Sequence, residues 1–261
     1  MESNGPLDAL PLWGVFLAIL VVVLLSVEFG YRLGRYRRNR HEQEKETPVG
    51  TMVGATLGLL AFILAFTFGL AAARFDTRRQ VLLDEANAIG TTYLRAAMLP
   101  ERGEEIRILL RNYVNTRLEA VHSGNIEEGM RQSENIQNEV WAHAVAVGQK
   151  NPNSIVVGLF IQSLNEMIDL HAKRLQAGLR SRIPGAIWVG LFAVAALSLA
   201  TMGYHAGMVG TRRSLAILAV AFTFSVVIEL IADLDRPQEG VLRVSQHALI
   251  DVQRSMNAPT P

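Results

Sequence analysis

The 261 residues contain no cysteine. Disulfides, thiolate zinc sites and cysteine nucleophiles are therefore excluded. Charge is scarce as well: Asp, Glu, Lys and Arg together make up 19%, below the quarter or so usual in a soluble domain. The net charge of +1 leaves no electrostatic footprint for nucleic acid. A nucleophile elbow, a phosphate loop and a glycine-rich dinucleotide fingerprint are all missing, so no catalytic residues and no enzyme are expected. Glu139 and His143, four apart, have no second pair to match them. Neither a metal nor a cofactor is expected. The first ten residues carry Glu2 and Asp8 but no Lys or Arg. The apolar run behind them ends without an A-x-A pattern, so cleavage as a signal peptide is not expected.

Half of the residues are apolar, and they are gathered into long runs. One uncharged run, Thr51 to Ala73, spans 23 residues. Hydrocarbon about 30 Å thick needs about 20 residues of helix. Period-two alternation is absent, so a helix is predicted rather than a barrel strand. The run continues without Gly or Pro into RFDTRRQVLLDEANAI, so one helix should leave the bilayer at Arg74 and carry its register into water. Further spans are predicted over about 11–30, with Trp13 in the interfacial belt, and over about 184–204 and 214–232.

Between the second and third spans the pattern is helical almost throughout. A helix to Met98 stops at Leu99-Pro100. A second runs from Glu101 to about His122, with Ile106, Leu110, Tyr113, Val114 and Leu118 on one side. A third follows from Ile126 to about Gln149, and a fourth starts after a cap at Asn153 or Ser154. The predicted fold is all-α: four transmembrane helices, with a helical bundle inserted between the second and third and continuous with them. The expected divisions are a first hairpin 1–75, a bundle 76–183, a second hairpin 184–236 and a tail 237–261 ending in a short surface helix.

The two short loops hold about eight Lys and Arg, against about three in the tails. Five arginines fall between positions 32 and 40, with Lys45 beyond them and Arg212 and Arg213 in the other loop. This bias places the loops in the cytoplasm and the bundle with both termini outside, in a bacterial inner membrane. Arg78, Arg79, Lys173 and Arg174 on the bundle side weigh the other way. The arginine run also reads as a site for anionic lipid.

Three groups of residues are candidates for function. Arg74 and Arg78 share one helix face, as do Glu229 and Asp233, and charges near a span end are costly unless paired. A cluster of Arg74, Asp76, Arg78, Glu229, Asp233, Asp235 and Arg236 is therefore expected at the membrane surface, as a clamp or as the vestibule of an ion path. Glu85, Asn87, Arg95, Asp169 and His171 form a candidate polar cluster in the bundle. Gly54 and Gly58 make a G-x-x-x-G pattern, and Phe62 and Phe66, one turn on, could form a constriction.

Several stretches resemble the bestrophin-like group of bacterial membrane proteins. They are Arg74-Phe75-Asp76-Thr77-Arg78-Arg79, the run from Glu85 to Arg95, and Asp233-Leu234-Asp235-Arg236-Pro237 with Gly240. The resemblance covers nearly the whole chain. By name it implies similarity to bestrophins, which are pentameric anion channels with long helices continuing out of the membrane and helical domains in the cytoplasm. No counterpart of a bestrophin calcium clasp is evident. Two functions follow as expectations: an oligomeric anion channel built on the second span, or a non-conducting scaffold or sensor whose bundle meets a partner or ligand. In either case the expected surroundings are a lipid bilayer and further copies of the chain, with no nucleic acid.

Overall fold

Each uncharged run of the sequence folds as the apolar part of a longer helix. The computed structural model describes residues 10–40, 46–210, 215–237 and 240–258, with backbone alone at 46, 47, 179 and 180. Glu2, Asp8, Lys45, Arg212, Arg213 and Glu239 lie outside the described residues. All regular structure among those described is helical: α1 Leu12–Asn39, α2 Glu46–Ala96, α3 Gly103–Ser123, α4 Ile126–Lys150, α5 Ile155–Leu175, α6 Gly185–Val209, α7 Leu215–Asp235 and α8 His247–Asn257. A π-helical turn, Gln176–Arg180, prolongs α5. α1, α2, α6 and α7 each include a stretch long and apolar enough to cross a membrane. In α2 that stretch is the N-terminal part, and the helix runs on without a break for 51 residues in all.

The chain forms two compact units, residues 1–75 with 181–243 and residues 76–180 with 244–261. In the first, α1 and α6 lie against each other through four glycines. A Cβ placed on Gly30 or Gly34 would overlap the carbonyl oxygen of Ala200 or Tyr204, and one on Gly203 or Gly207 that of Val27 or Tyr31. Each helix thus carries a G-x-x-x-G pair that lets backbone meet backbone. The pair singled out from the sequence, Gly54 and Gly58, has nothing within 4 Å of either Cβ position. α2 instead joins α6 through hydroxyls: Thr56 and Thr201 are 3.2 Å apart, and Ser198 donates to the Thr56 carbonyl at 3.1 Å. Leu60, Leu64, Leu191, Leu199 and Ile228 are buried in this unit.

In the second unit the C-terminal part of α2 packs with α3, α4, α5 and α8 around Ile89, Ile106, Leu110, Phe160, Leu164 and Met167. Asn125 caps α4 by accepting from the Glu128 amide, and Ser154 caps α5 by accepting from that of Val157, each at 3.4 Å. α2 stops two residues short of the predicted Met98. α3 begins two residues late, because Arg102 adopts φ 60° and the helix can start only at Gly103. The tail also departs from expectation. α8 belongs to the bundle core, with Leu249 and Met256 buried and the Met256 carbonyl accepting from Tyr93 Oη at 3.0 Å.

Candidate functional site

The signature Asp233-Leu234-Asp235-Arg236 closes α7, and its charged side chains are buried. The Asp233 carboxylate accepts from the amides of Val241 and Leu242 at 3.0 and 3.1 Å. Its partners are thus backbone N–H groups, where the sequence spacing had suggested guanidinium groups. Gly240, at φ 126°, brings the chain back, and a Cβ there would overlap Asp233 Oδ1. Asp235 accepts from the Ile183 amide at 2.9 Å, and its carbonyl accepts from Arg182 at 2.7 Å. Arg236 donates to the Leu10 carbonyl at 2.6 Å. Four chain segments are therefore tied by charge-assisted bonds. Glu229 is half-buried, Asp76 is exposed, and Arg74 and Arg78 are wholly or partly buried in α2. Asp233→Ala is expected to cost about 2–3 kcal/mol, read as a lower Tm in detergent. Gly240→Ala should give a similar loss, and a Tm unchanged in both would remove the knot from the account.

The most deeply buried charge in the second unit is Glu85, with 0% of its surface exposed. Arg174 donates to its Oε2 at 2.6 Å, and an Arg117 nitrogen lies 3.4 Å from its Oε1. Tyr113 donates to Oε1 at 3.1 Å, and its oxygen accepts from Gln137 at 3.2 Å. His171 Nδ1 sits 3.0 Å from the Tyr113 oxygen and 3.6 Å from Glu85. Assigned from this network, Nδ1 carries the ring proton. Arg174 reaches on to Gln246 at 3.0 Å, tying in the segment before α8.

Burial alone would raise the Glu85 pKa. The His171 hydrogen bond and the guanidinium groups of Arg117 and Arg174 outweigh it and hold the carboxyl well below its ordinary range. Burial, then the adjacent Glu85 charge, push the Tyr113 hydroxyl far above its ordinary range. Burial also lowers the Arg174 pKa. The carboxylate is locked ionised and the phenol locked neutral. Such a pair is suited to fixing charge in place rather than to passing protons.

Of the five bundle residues expected to cluster, Glu85 and His171 do meet. Arg95 lies elsewhere, donating to the Leu159 carbonyl at 2.7 Å, and Asn87 and Asp169 are exposed. Tyr113, Arg117, Gln137 and Arg174 escaped the sequence reading. A signal existed for Arg117, a cation in register with the apolar stripe Ile106, Leu110, Tyr113 and Val114. Among the described residues no group of three His, Cys, Asp or Glu could hold a metal.

The third feature is the outward face of α2. Phe62 and Phe66 are 68% and 71% exposed, in line with the bare glycines 54 and 58. The opposite face, Leu60, Leu64, Thr67 and Ala71, is buried.

Four apolar helices, one running on into a helical bundle, define an α-helical multi-pass membrane protein. A sequence model described as a Bestrophin-like domain matches residues 15–249, and the chain belongs to that family. The fold is shared with solved structures of a bacterial bestrophin homologue from Klebsiella pneumoniae. One single-substitution variant is 14% identical, with 92% of this chain and 97% of that one covered and a TM-score of 0.64. A second is 15% identical over 93% and 99%, with a TM-score of 0.67. A structure described only as a membrane protein is 14% identical over 93% and 100%, also with a TM-score of 0.67. A comparison with curated proteins finds no match.

Proposed function

We propose that this protein assembles as a homo-oligomer in which the outward faces of α2 from neighbouring copies line a path for anions. The observation that carries the reading is that face itself. Gly54 and Gly58 meet no neighbour in their own chain, while Phe62 and Phe66 stand exposed one turn apart. Glycines invite another helix to approach closely. Phenylalanines at successive turns of several copies would form an apolar neck that gates by dewetting, and ring edges, positive in the aromatic quadrupole, suit an anion. Family membership supports the same reading, by analogy to bestrophin channels. No catalytic activity is assigned. The excess of Lys and Arg in the short loops supports an orientation with those loops in the cytoplasm and the bundle outside. Single cysteines introduced into this cysteine-free chain test that placement, since labelling of the bundle only after cell lysis would reverse it.

Purified protein in planar bilayers is expected to carry current that reverses at the chloride potential. Phe62→Ala with Phe66→Ala should raise conductance by about ten-fold, as expected if each neck ring adds a modest dewetting barrier. Silence across pH and voltage, or a monomer or dimer as the native assembly, overturns the proposal. The scaffold or sensor reading draws on a different feature. A groove of about 840 Å³ opens on the second unit, lined by Leu118, His122, Gln132, Gln246, Ile250 and Gln253. A partner crosslinked through those positions, together with electrical silence, would favour it.

A further inference from the structure

We infer that the C-terminal end of α1 is a binding site for the headgroups of anionic phospholipids. α1 is a single helix from Leu12 to Asn39. Its inner face is fixed by Gly30 and Gly34 against α6. The opposite face presents Leu25 and Phe29, 63% and 68% exposed, to whatever surrounds the molecule, which at that depth is acyl chain. At about 100° per residue, that same face continues as Leu33, Tyr36 and Arg40, with Arg32 about 60° to one side and Arg35 about 60° further round, and all five are exposed.

The depth is set by arithmetic. Hydrocarbon about 30 Å thick takes up about 20 residues. With Trp13 at the far interface, apolar depth ends close to Arg32. Arg32 to Arg40 then cover about 12 Å of rise, the thickness of the headgroup layer. The guanidinium groups therefore stand where phosphates stand, on the side that faces lipid. Glu28 takes one of them, accepting from Arg32 at 2.7 Å. Arg40 stacks over the Tyr36 ring at 4.6 Å, which holds it along the helix surface. Among the described residues no carboxylate pairs with Arg35 or Arg40. Guanidinium forks match phosphate oxygens two at a time. The negative end of the α1 dipole lies here too and favours cations at this end, but it explains neither the outward direction of the arginines nor their continuity with the lipid-facing stripe.

Orienting the chain during insertion is a role the same arginines can have without retaining any lipid, so the test must read binding. The full chain, purified in neutral detergent with equal amounts of phosphatidylglycerol and phosphatidylcholine, is examined by native mass spectrometry. Retention of the anionic lipid is expected to exceed that of the zwitterionic one by about five-fold or more, the factor of one basic residue at an anionic surface. Arg32→Gln, Arg35→Gln and Arg40→Gln combined should bring the ratio near one, and the three lysine replacements should keep part of it. In the wild type the preference should fall as salt rises from about 0.05 to about 0.5 M, a measurement that needs no variant to fold. Equal retention of both lipids, a preference untouched by the three glutamines, or one indifferent to salt overturns the inference. So does inorganic phosphate alone raising the Tm as much as phosphatidylglycerol does, since the site would then be one for free anions.

Discussion

Replacing Glu85 by glutamine is expected to lower the stability of the protein by about 3–5 kcal/mol, the largest loss of any single polar substitution in the bundle. The carboxylate has no exposed surface and faces two guanidinium groups, Arg117 and Arg174, that are themselves largely buried. Removing it leaves two cations without a counter-charge in a medium where each is expensive. The network itself need not be favourable relative to an apolar core. A triple variant with Glu85→Leu, Arg117→Met and Arg174→Met should therefore recover most of what the single variant loses. A triple variant as unstable as the single one would show that hydrogen bonding rather than charge balance is what matters.

The pH dependence follows from the same contacts. The folded carboxyl of Glu85 titrates well below its ordinary value of 4.5. Its contribution is therefore fully present above about pH 4.5 and is lost as pH falls below it. The gap in Tm between wild type and Glu85→Gln should narrow steadily from pH 5 downward, because the protonated wild type comes to resemble the variant. Tyr113 acts at the other end. Its folded hydroxyl titrates far above the ordinary value of 10, so its contribution holds below about pH 10 and is lost as pH rises past it. Tyr113→Phe should flatten that alkaline limb. A gap between wild type and Glu85→Gln that stays constant from pH 7 to pH 3 would contradict the assignment of Glu85 as the ionised centre.

What the sequence revealed and what it hid divide along the range of the interaction. Span lengths were legible because the bilayer sets them, and each shows as a run without charge. The cap at Ser154 was legible because a cap is a contact across three residues. α8 was legible as a helix but not as part of the core, because Leu249 and Met256 gain their meaning only from Tyr93 and the core far away in the chain. Arg117 was half legible: its register said buried, and only the fold says what neutralises it. Gln137 could not be read at all, since α4 turns Gly129, Ser133 and Gln137 inward, a stripe that looks like solvent-facing surface. The Asp233 carboxylate was legible as costly, yet spacing pointed to arginines where backbone amides do the pairing.

The glycine pairs make the same point and lead to the second large effect. Gly30→Leu or Gly203→Val is expected to destabilise the first unit by about 3 kcal/mol or more, enough for the purified chain to aggregate or to lose its Tm transition. The reason is that the obstructing atoms are backbone. A side chain at Gly30 meets the carbonyl of Ala200, and one at Gly203 meets that of Val27. Neither can turn aside as a flexible side chain would, so α1 and α6 must separate and expose the small residues between them. Gly54→Leu carries the same local motif and the opposite expectation. Nothing in its own chain lies within 4 Å of the added atoms, so the monomer should keep its fold and secondary structure. If α2 faces a second copy, Gly54→Leu should instead convert the native assembly to smaller species in native mass spectra and silence the bilayer current. Loss of folding in Gly54→Leu, or tolerance of leucine at Gly30, would mean that the two G-x-x-x-G pairs have been assigned to the wrong contacts, and with them the reading of which helix faces the next subunit.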